Sequence, residues 1–114
     1  MLNLRIDENE KKVYVDVNGY ITSVEIQTFI NEYKHKLKPL KTSQYRLIIM
    51  PSIFEYENEK DIRHICTYFY KSNFKRIYLI DPNNYLIDKM NLSTLEKRIF
   101  NKAVKTVATE NNIK

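Results

Sequence analysis

This chain is poor in the residues that shape loops and hold reactive groups. It has one glycine, Gly19, three prolines, one cysteine, Cys66, and no tryptophan. Loops that cradle phosphate need several glycines for close backbone approach, so nucleotide-binding loops of that kind are excluded. A single thiol excludes an intramolecular disulfide. With no apolar leader at the start, it points to a reducing, cytoplasmic setting. No apolar stretch nears the ~20 residues that span a bilayer, so no membrane partner is expected. Two histidines and the one cysteine are scattered without ligand spacing, so neither metal nor cofactor is expected.

What is present is enough for a core. The 114 residues suit one domain, with residues 1–108 as its core and 109–114 as a frayed tail. The hydrophobic share is 43%, and nine tyrosines belong to it. Net charge is +5, which permits contact with nucleic acid or another anionic surface. Lys, Asn, Ile and Tyr are all abundant, a bias that AT-rich coding sequence also produces.

Tyr45-Arg46-Leu47-Ile48-Ile49-Met50-Pro51 reads as a strand buried on both faces and stopped by Pro51. Arg76 to Asp81 is a second such strand. Leu2, Leu4 and Ile6 alternate with Asn3 and Arg5, and Val13, Val15 and Val17 alternate with Tyr14 and Asp16. Both segments have strand period, and the polar break 7–11 between them predicts a hairpin. Gly19 marks a bulge or bend near the end of the second strand.

Thr22 and Glu25 form a capping box, with Ile21 and Ile26 placed as a hydrophobic staple. Ile26, Phe29, Ile30, Tyr33 and Leu37 then make one helical stripe, which Pro39 ends. A second helix is expected from Glu59 to Ser72, burying Ile62, Ile65, Cys66 and Phe69. Asp81-Pro82-Asn83-Asn84 reads as a turn, and Tyr85 to Met90 as a short helical turn. The last helix begins near Ser93, capped by Ser93 and Glu96, and continues on Leu95, Ile99, Ala103 and Val107. The predicted fold is α/β, a four-stranded mixed sheet in the order β-β-α-β-α-β-α. Strands two to four are parallel through right-handed crossovers, and helices pack on the sheet.

This order resembles the STAS domain, named for sulfate transporters and anti-sigma-factor antagonists. The resemblance covers roughly Leu2 to Val107. It is carried by Val17-Asn18-Gly19-Tyr20-Ile21-Thr22 leading into a capped helix, and by the strands Leu47–Met50 and Arg76–Asp81. It implies a non-enzymatic protein-interaction and regulatory module. In the antagonists a kinase phosphorylates a Ser at the start of the helix after the third strand, within Asp-Ser-Ser-Gly or a close variant. Here Glu57-Asn58-Glu59-Lys60 stands at that place, with no hydroxyl and no Gly, and Ser52 is the nearest hydroxyl. The family tends to end the third strand with Asp; Met50-Pro51-Ser52 stands here.

Candidate sites are few. His64 and Cys66 fall about 200° apart on a helix and cannot pair as base and nucleophile, so Cys66 reads as core. The carboxylates Glu55 with Glu57, and Asp7 with Glu8, lie in polar, wet surroundings and are not expected to act as a general acid/base pair. No catalytic residue is named and no enzyme is expected. Ser52, Ile53, Phe54, Tyr56, Asn58 and Glu59 form a candidate partner surface, since sites in open α/β folds lie beyond the carboxyl ends of the strands. Lys34, Lys36, Lys38, Lys41, Lys71, Lys75 and Arg76 gather at helix ends and strand starts. With Tyr33 and Tyr45 for base stacking, they form a candidate nucleic-acid patch. The solvated ends of helices attract cations in any case. The partner expected first is a protein. A homodimer through the edge strand Leu2–Ile6 is a variant of that reading. The alternative is a small nucleic-acid-binding accessory protein of viral or mobile-element type.

Overall fold

The computed structural model describes residues 1–90 and 92–113. Its elements are β1 (Leu2–Asp7), β2 (Lys12–Ile21), α1 (Ser23–Leu37), β3 (Arg46–Tyr56), α2 (Glu59–Lys71) and β4 (Arg76–Ile80). They are followed by α3 (Tyr85–Met90), α4 (Thr94–Ala103) and β5 (Val104–Val107). Among the described residues there is one sheet, in spatial order β1-β2-β3-β4-β5. β1 is antiparallel to β2, and β2 to β5 are parallel.

The sheet therefore has five strands where four were expected. The fifth comes from Val104–Val107, read in sequence as the end of the last helix. Leu95, Ile99, Ala103 and Val107 recur every four residues, which imitates a helical stripe. The β-branched run Val104, Thr106, Val107 favours a strand, and pairing with Ile77–Ile80 decides it. Leu95 and Ile99 of that supposed stripe are 66% and 61% exposed, and Phe100 is the buried residue of α4.

Strand order and sequence order coincide, so every crossover moves the same way across the sheet. Right-handed crossovers moving one way put all helices on one face. The burial pattern agrees. One core cluster joins Val13, Val15, Leu47, Ile49 and Leu79 of the sheet to Ile26, Phe29, Ile30, Ile62, Ile65 and Phe69 of α1 and α2. A smaller cluster, Tyr14, Ile48, Tyr78 and Val107, takes nothing from any helix. It is covered instead by Ile113, with the Tyr14 hydroxyl donating to the Glu110 carboxylate. Burial and that bond push the Tyr14 hydroxyl up to about 12. Where a frayed tail is expected, residues Glu110–Asn112 form a 3-10 turn. Lys114, the end of that expected tail, lies outside the described residues.

The helix stripes of α1 and α2 fall inward as their spacing requires. Each Ile or Leu fully buried there contributes roughly 1.5–3 kcal/mol. The caps are built from the expected residues. Thr22 Oγ1 accepts the Glu25 amide at 3.1 Å, but the Glu25 carboxylate turns to the Leu2 amide at 2.8 Å, so half of the capping box is spent on tying β1 to α1. The Ser93–Glu96 box closes in both directions. Hydrogen bonds from Ser93 hold the Glu96 carboxyl below the usual carboxylate range.

Candidate interaction surface

β2 and β3 outrun their neighbours. β1 ends its pairing at Val17, and β4 ends its pairing at Ile49. Met1 still exchanges backbone hydrogen bonds with Asn18, and beyond it β2 and β3 continue alone to Ile21 and Tyr56, as a two-stranded extension at the carboxyl edge. Pro51 does not stop the strand. It sits where β3 has already lost β4, so its missing amide leaves no ladder bond unmade on that side.

A bulge sets the chemistry of this extension. β2 advances two residues from Val17 to Gly19 while β3 advances three from Pro51 to Phe54. The extra residue reverses which side chains face inward. Phe54 enters the core at 2% exposure, and Ile53 is turned out at 71%. Gly19 supports the distortion with φ 72, a left-handed conformation that glycine adopts without strain. Tyr20 pairs with Glu55, two residues past Ile53, and is 60% exposed. Tyr20 and Ile53 are thus diagonal neighbours on one face, an apolar pair in water. Sequence reasoning missed Tyr20. Its signal was a lone large residue between Gly19 and the buried Ile21.

Acidic groups rim the pair. Glu55 is paired to Lys89 at 2.7 Å. The Ser23 amide donates to Glu57 at 3.1 Å, and the Ser23 hydroxyl donates to Asp61 at 2.6 Å, which latches the start of α1 to the start of α2. Asn58 Oδ1 accepts the Lys60 amide at 3.0 Å as the cap of α2, and Glu59 is exposed. Of the expected contact residues, Ser52, Ile53, Asn58 and Glu59 are exposed, and Tyr56 is half-buried. Phe54 is a core residue, and the segment is strand rather than loop. Glu55 and Glu57 have separate partners and do not form a carboxylate couple.

The helix-end cations do not make one patch. Lys34, Lys38 and Lys71 line a shallow groove between α1 and α2, where Lys34 lies over the Tyr68 ring at 4.7 Å. Lys36 is paired to Glu32 at 2.8 Å, facing a different hollow. Lys75 and Arg76 line a third, beside Phe74 and Ile99. Lys41 is exposed just before β3. Tyr33 and Tyr45, expected to stack on bases, are each 3% exposed. The Tyr33 hydroxyl is 2.6 Å from Ser72 Oγ, and Lys11 covers the Tyr45 ring at 5.2 Å. Both rings are core. His64 is exposed, edge-on to Tyr68, while Cys66 is buried on the other side of α2.

The fold has counterparts of known structure. The anti-sigma-factor antagonist SpoIIAA in its unphosphorylated form superposes with a TM-score of 0.59 at 8% identity, over 97% of this chain and 91% of that one. An uncharacterised protein of the DUF3478 family from Shewanella loihica PV-4, described as having a SpoIIAA-like fold, gives 0.58 at 11% identity, over 98% and 88%. No protein-family model matches the sequence, and comparison with curated proteins finds no match. The chain has a STAS-like α/β fold, shared at the level of architecture. Among the described residues, no helix is long and apolar enough to cross a membrane.

Proposed function

We propose that this protein is a non-enzymatic regulatory module that docks a partner protein on the β2–β3 extension. The observation that carries the reading is the Tyr20–Ile53 pair, two large exposed side chains, Ile53 turned out by the bulge in β3 and Tyr20 by the alternation of β2. A bulged, conformationally constrained segment that exposes apolar area suits recognition better than stability. Glu57 and Glu59, with Glu55 already paired to Lys89, select a partner with an apolar centre and a basic border. Likeness to an anti-sigma-factor antagonist supports a role of this class. Residues Glu57 to Lys60 carry no hydroxyl, so binding here is not switched by phosphorylation at the start of α2. The acids supply standing negative charge instead.

The test is quantitative affinity capture from native lysate with the wild type, Ile53→Asp and Tyr20→Ala. Loss of the same specific protein in both variants is expected, while Leu95→Ala on α4 keeps it. A captured set unchanged by Ile53→Asp would sink the reading. A homodimer is the second form of this proposal. Among the described residues, β1 pairs only with β2, so beyond Leu2, whose amide Glu25 holds, its outer edge is open to another strand. Sedimentation at micromolar concentration separates the two, since a monomer removes the dimer.

A further inference from the structure

Each of the five strands sends one cation to the face that carries no helix. Period-two alternation puts Arg5, Lys12, Arg46 and Lys105 there, and with them Arg76, which as the first residue of β4 also borders the hollow beside Ile99, because Leu4, Val13, Leu47, Ile77 and Val104 turn to the helix-side core. The register aligns them. Lys12 pairs with Arg46, and Arg46 with Arg76, so three cations stand in one row across neighbouring strands. Arg5 and Lys105 stand one step on, opposite Tyr14 and Tyr78, at the two ends of the row. At ~4.8 Å per strand the set spans roughly 20 Å.

The Arg5 guanidinium lies over the Tyr14 ring at 3.9 Å, but among the described residues no carboxylate answers this charge and none of the five is in an ion pair. Asp7, beside Lys12 on β1, gives its carboxylate to the Glu10 amide at 3.0 Å. Asp16 stands a further step along β2, opposite Met50, and Glu110 takes the Tyr14 hydroxyl. Like charges on adjacent strands repel. Arg46 Nε is buried with no hydrogen-bond partner, and such an orphan donor is costly. An anion lying across the strands answers both. Three of the five are arginines, whose planar fork grips phosphate bidentately. The width of the row, more than one phosphate can fill, asks for a chain of phosphates.

We propose that this face binds single-stranded nucleic acid, with the phosphates crossing the strands along Arg5, Lys12, Arg46, Arg76 and Lys105. Aromatic rings on a sheet flanked by cations are a recurrent platform for single strands. Tyr14 and Tyr78 hold that position, under the segment Glu110–Ile113, so phosphate contacts carry the affinity. The row lies at the start of β3, and Ile53 near its far end. The two surfaces therefore stand or fall separately.

The experiment is fluorescence anisotropy with a labelled ~15-nucleotide oligothymidylate at low and moderate salt. The wild type binds, and Lys12→Gln/Arg46→Gln/Arg76→Gln weakens binding at least ~10-fold and lowers the salt slope by about 2. Arg46 is half-buried, so Arg5→Gln/Lys105→Gln, both at exposed positions, provides an independent loss, with an unchanged urea midpoint as its check on folding. Lys34→Gln/Lys38→Gln/Lys71→Gln, on the helix side, leaves affinity unchanged. Absence of wild-type binding at low salt overturns the proposal. So does equal affinity in the strand-face variants, or a loss confined to the helix-side one.

Discussion

Asp81 holds Leu86: its carboxylate, 1% exposed at the end of β4, accepts the Leu86 amide at 2.8 Å. The Tyr85 amide reaches the other oxygen at 2.7 Å, and the Asn84 amide donates to the Asp81 carbonyl at 3.0 Å. One side chain thus closes the turn after β4 and satisfies two of the free amides that begin α3. The six residues of α3 are too few to hold a helix unaided. Leu86 and Met90 reach the core only because Asp81 sets the helix down there.

Asp81→Ala is therefore expected to destabilise by about 2–3 kcal/mol, since it strands buried amides that bonded a charged group. Asp81→Asn, which keeps one acceptor oxygen, costs less. Urea denaturation checks both, read as a lower midpoint at constant slope. A midpoint unchanged in Asp81→Ala would show that α3 is held by packing alone.

The bulge in β3 gives neighbouring residues opposite fates, and mutation reads this directly. Phe54→Ala is expected to cost about 3–5 kcal/mol, the loss of a buried aromatic plus a cavity. Ile53→Ala, one position earlier, should change stability by no more than about 0.5 kcal/mol. Reversed costs in the same urea series would mean that β3 runs without the extra residue and that Ile53 faces the core.

The parallel core of the fold was legible because its signals are local and redundant. The Leu47–Ile49 run, the Ile26–Leu37 stripe and the Ser93 cap each use one period or one spacing. Gly19 marked the bulge in sequence and the register shifts there, but its consequence for β3 was not legible, because Ile53 and Phe54 are adjacent apolar residues and either could face inward. Only pairing with β2 decides. β5 was hidden by a four-residue recurrence that fits a helix as well as a strand. The left-handed positions were hidden too. With Gly19 as the one glycine, Lys11, Asn73 and Asn84 take φ of 56, 58 and 57 where glycine is usual. Asparagine tolerates this conformation, and Asn73 ends α2 in it. The cation row was invisible in sequence, because its members lie on different strands and meet only through register.

Alkaline pH should loosen the molecule through acids whose pKa burial raises, Tyr14 and Tyr70 together with Cys66 and Tyr33. Burial pushes the Cys66 thiol from its ordinary 9.0 up to about 12. Burial also raises the Tyr33 hydroxyl from 10.0 to about 12, against the opposing hydrogen bond with Ser72. Both groups keep their protons in the folded state at a pH where the unfolded chain has lost them. The unfolded state then binds fewer protons, and stability falls as pH rises. Their contribution is complete below about 9, declines through 9–12, and is gone above the folded values. Urea midpoints taken from about pH 8 to about pH 11 should fall steadily. Cys66→Ala should remove the earliest part of the decline, because the thiol has the lower unfolded value. Cys66 itself stays a neutral, shielded thiol at neutral pH. A disulfide reagent should label it in urea and spare it in the native protein, and equal labelling rates in the two states would contradict its burial under α2.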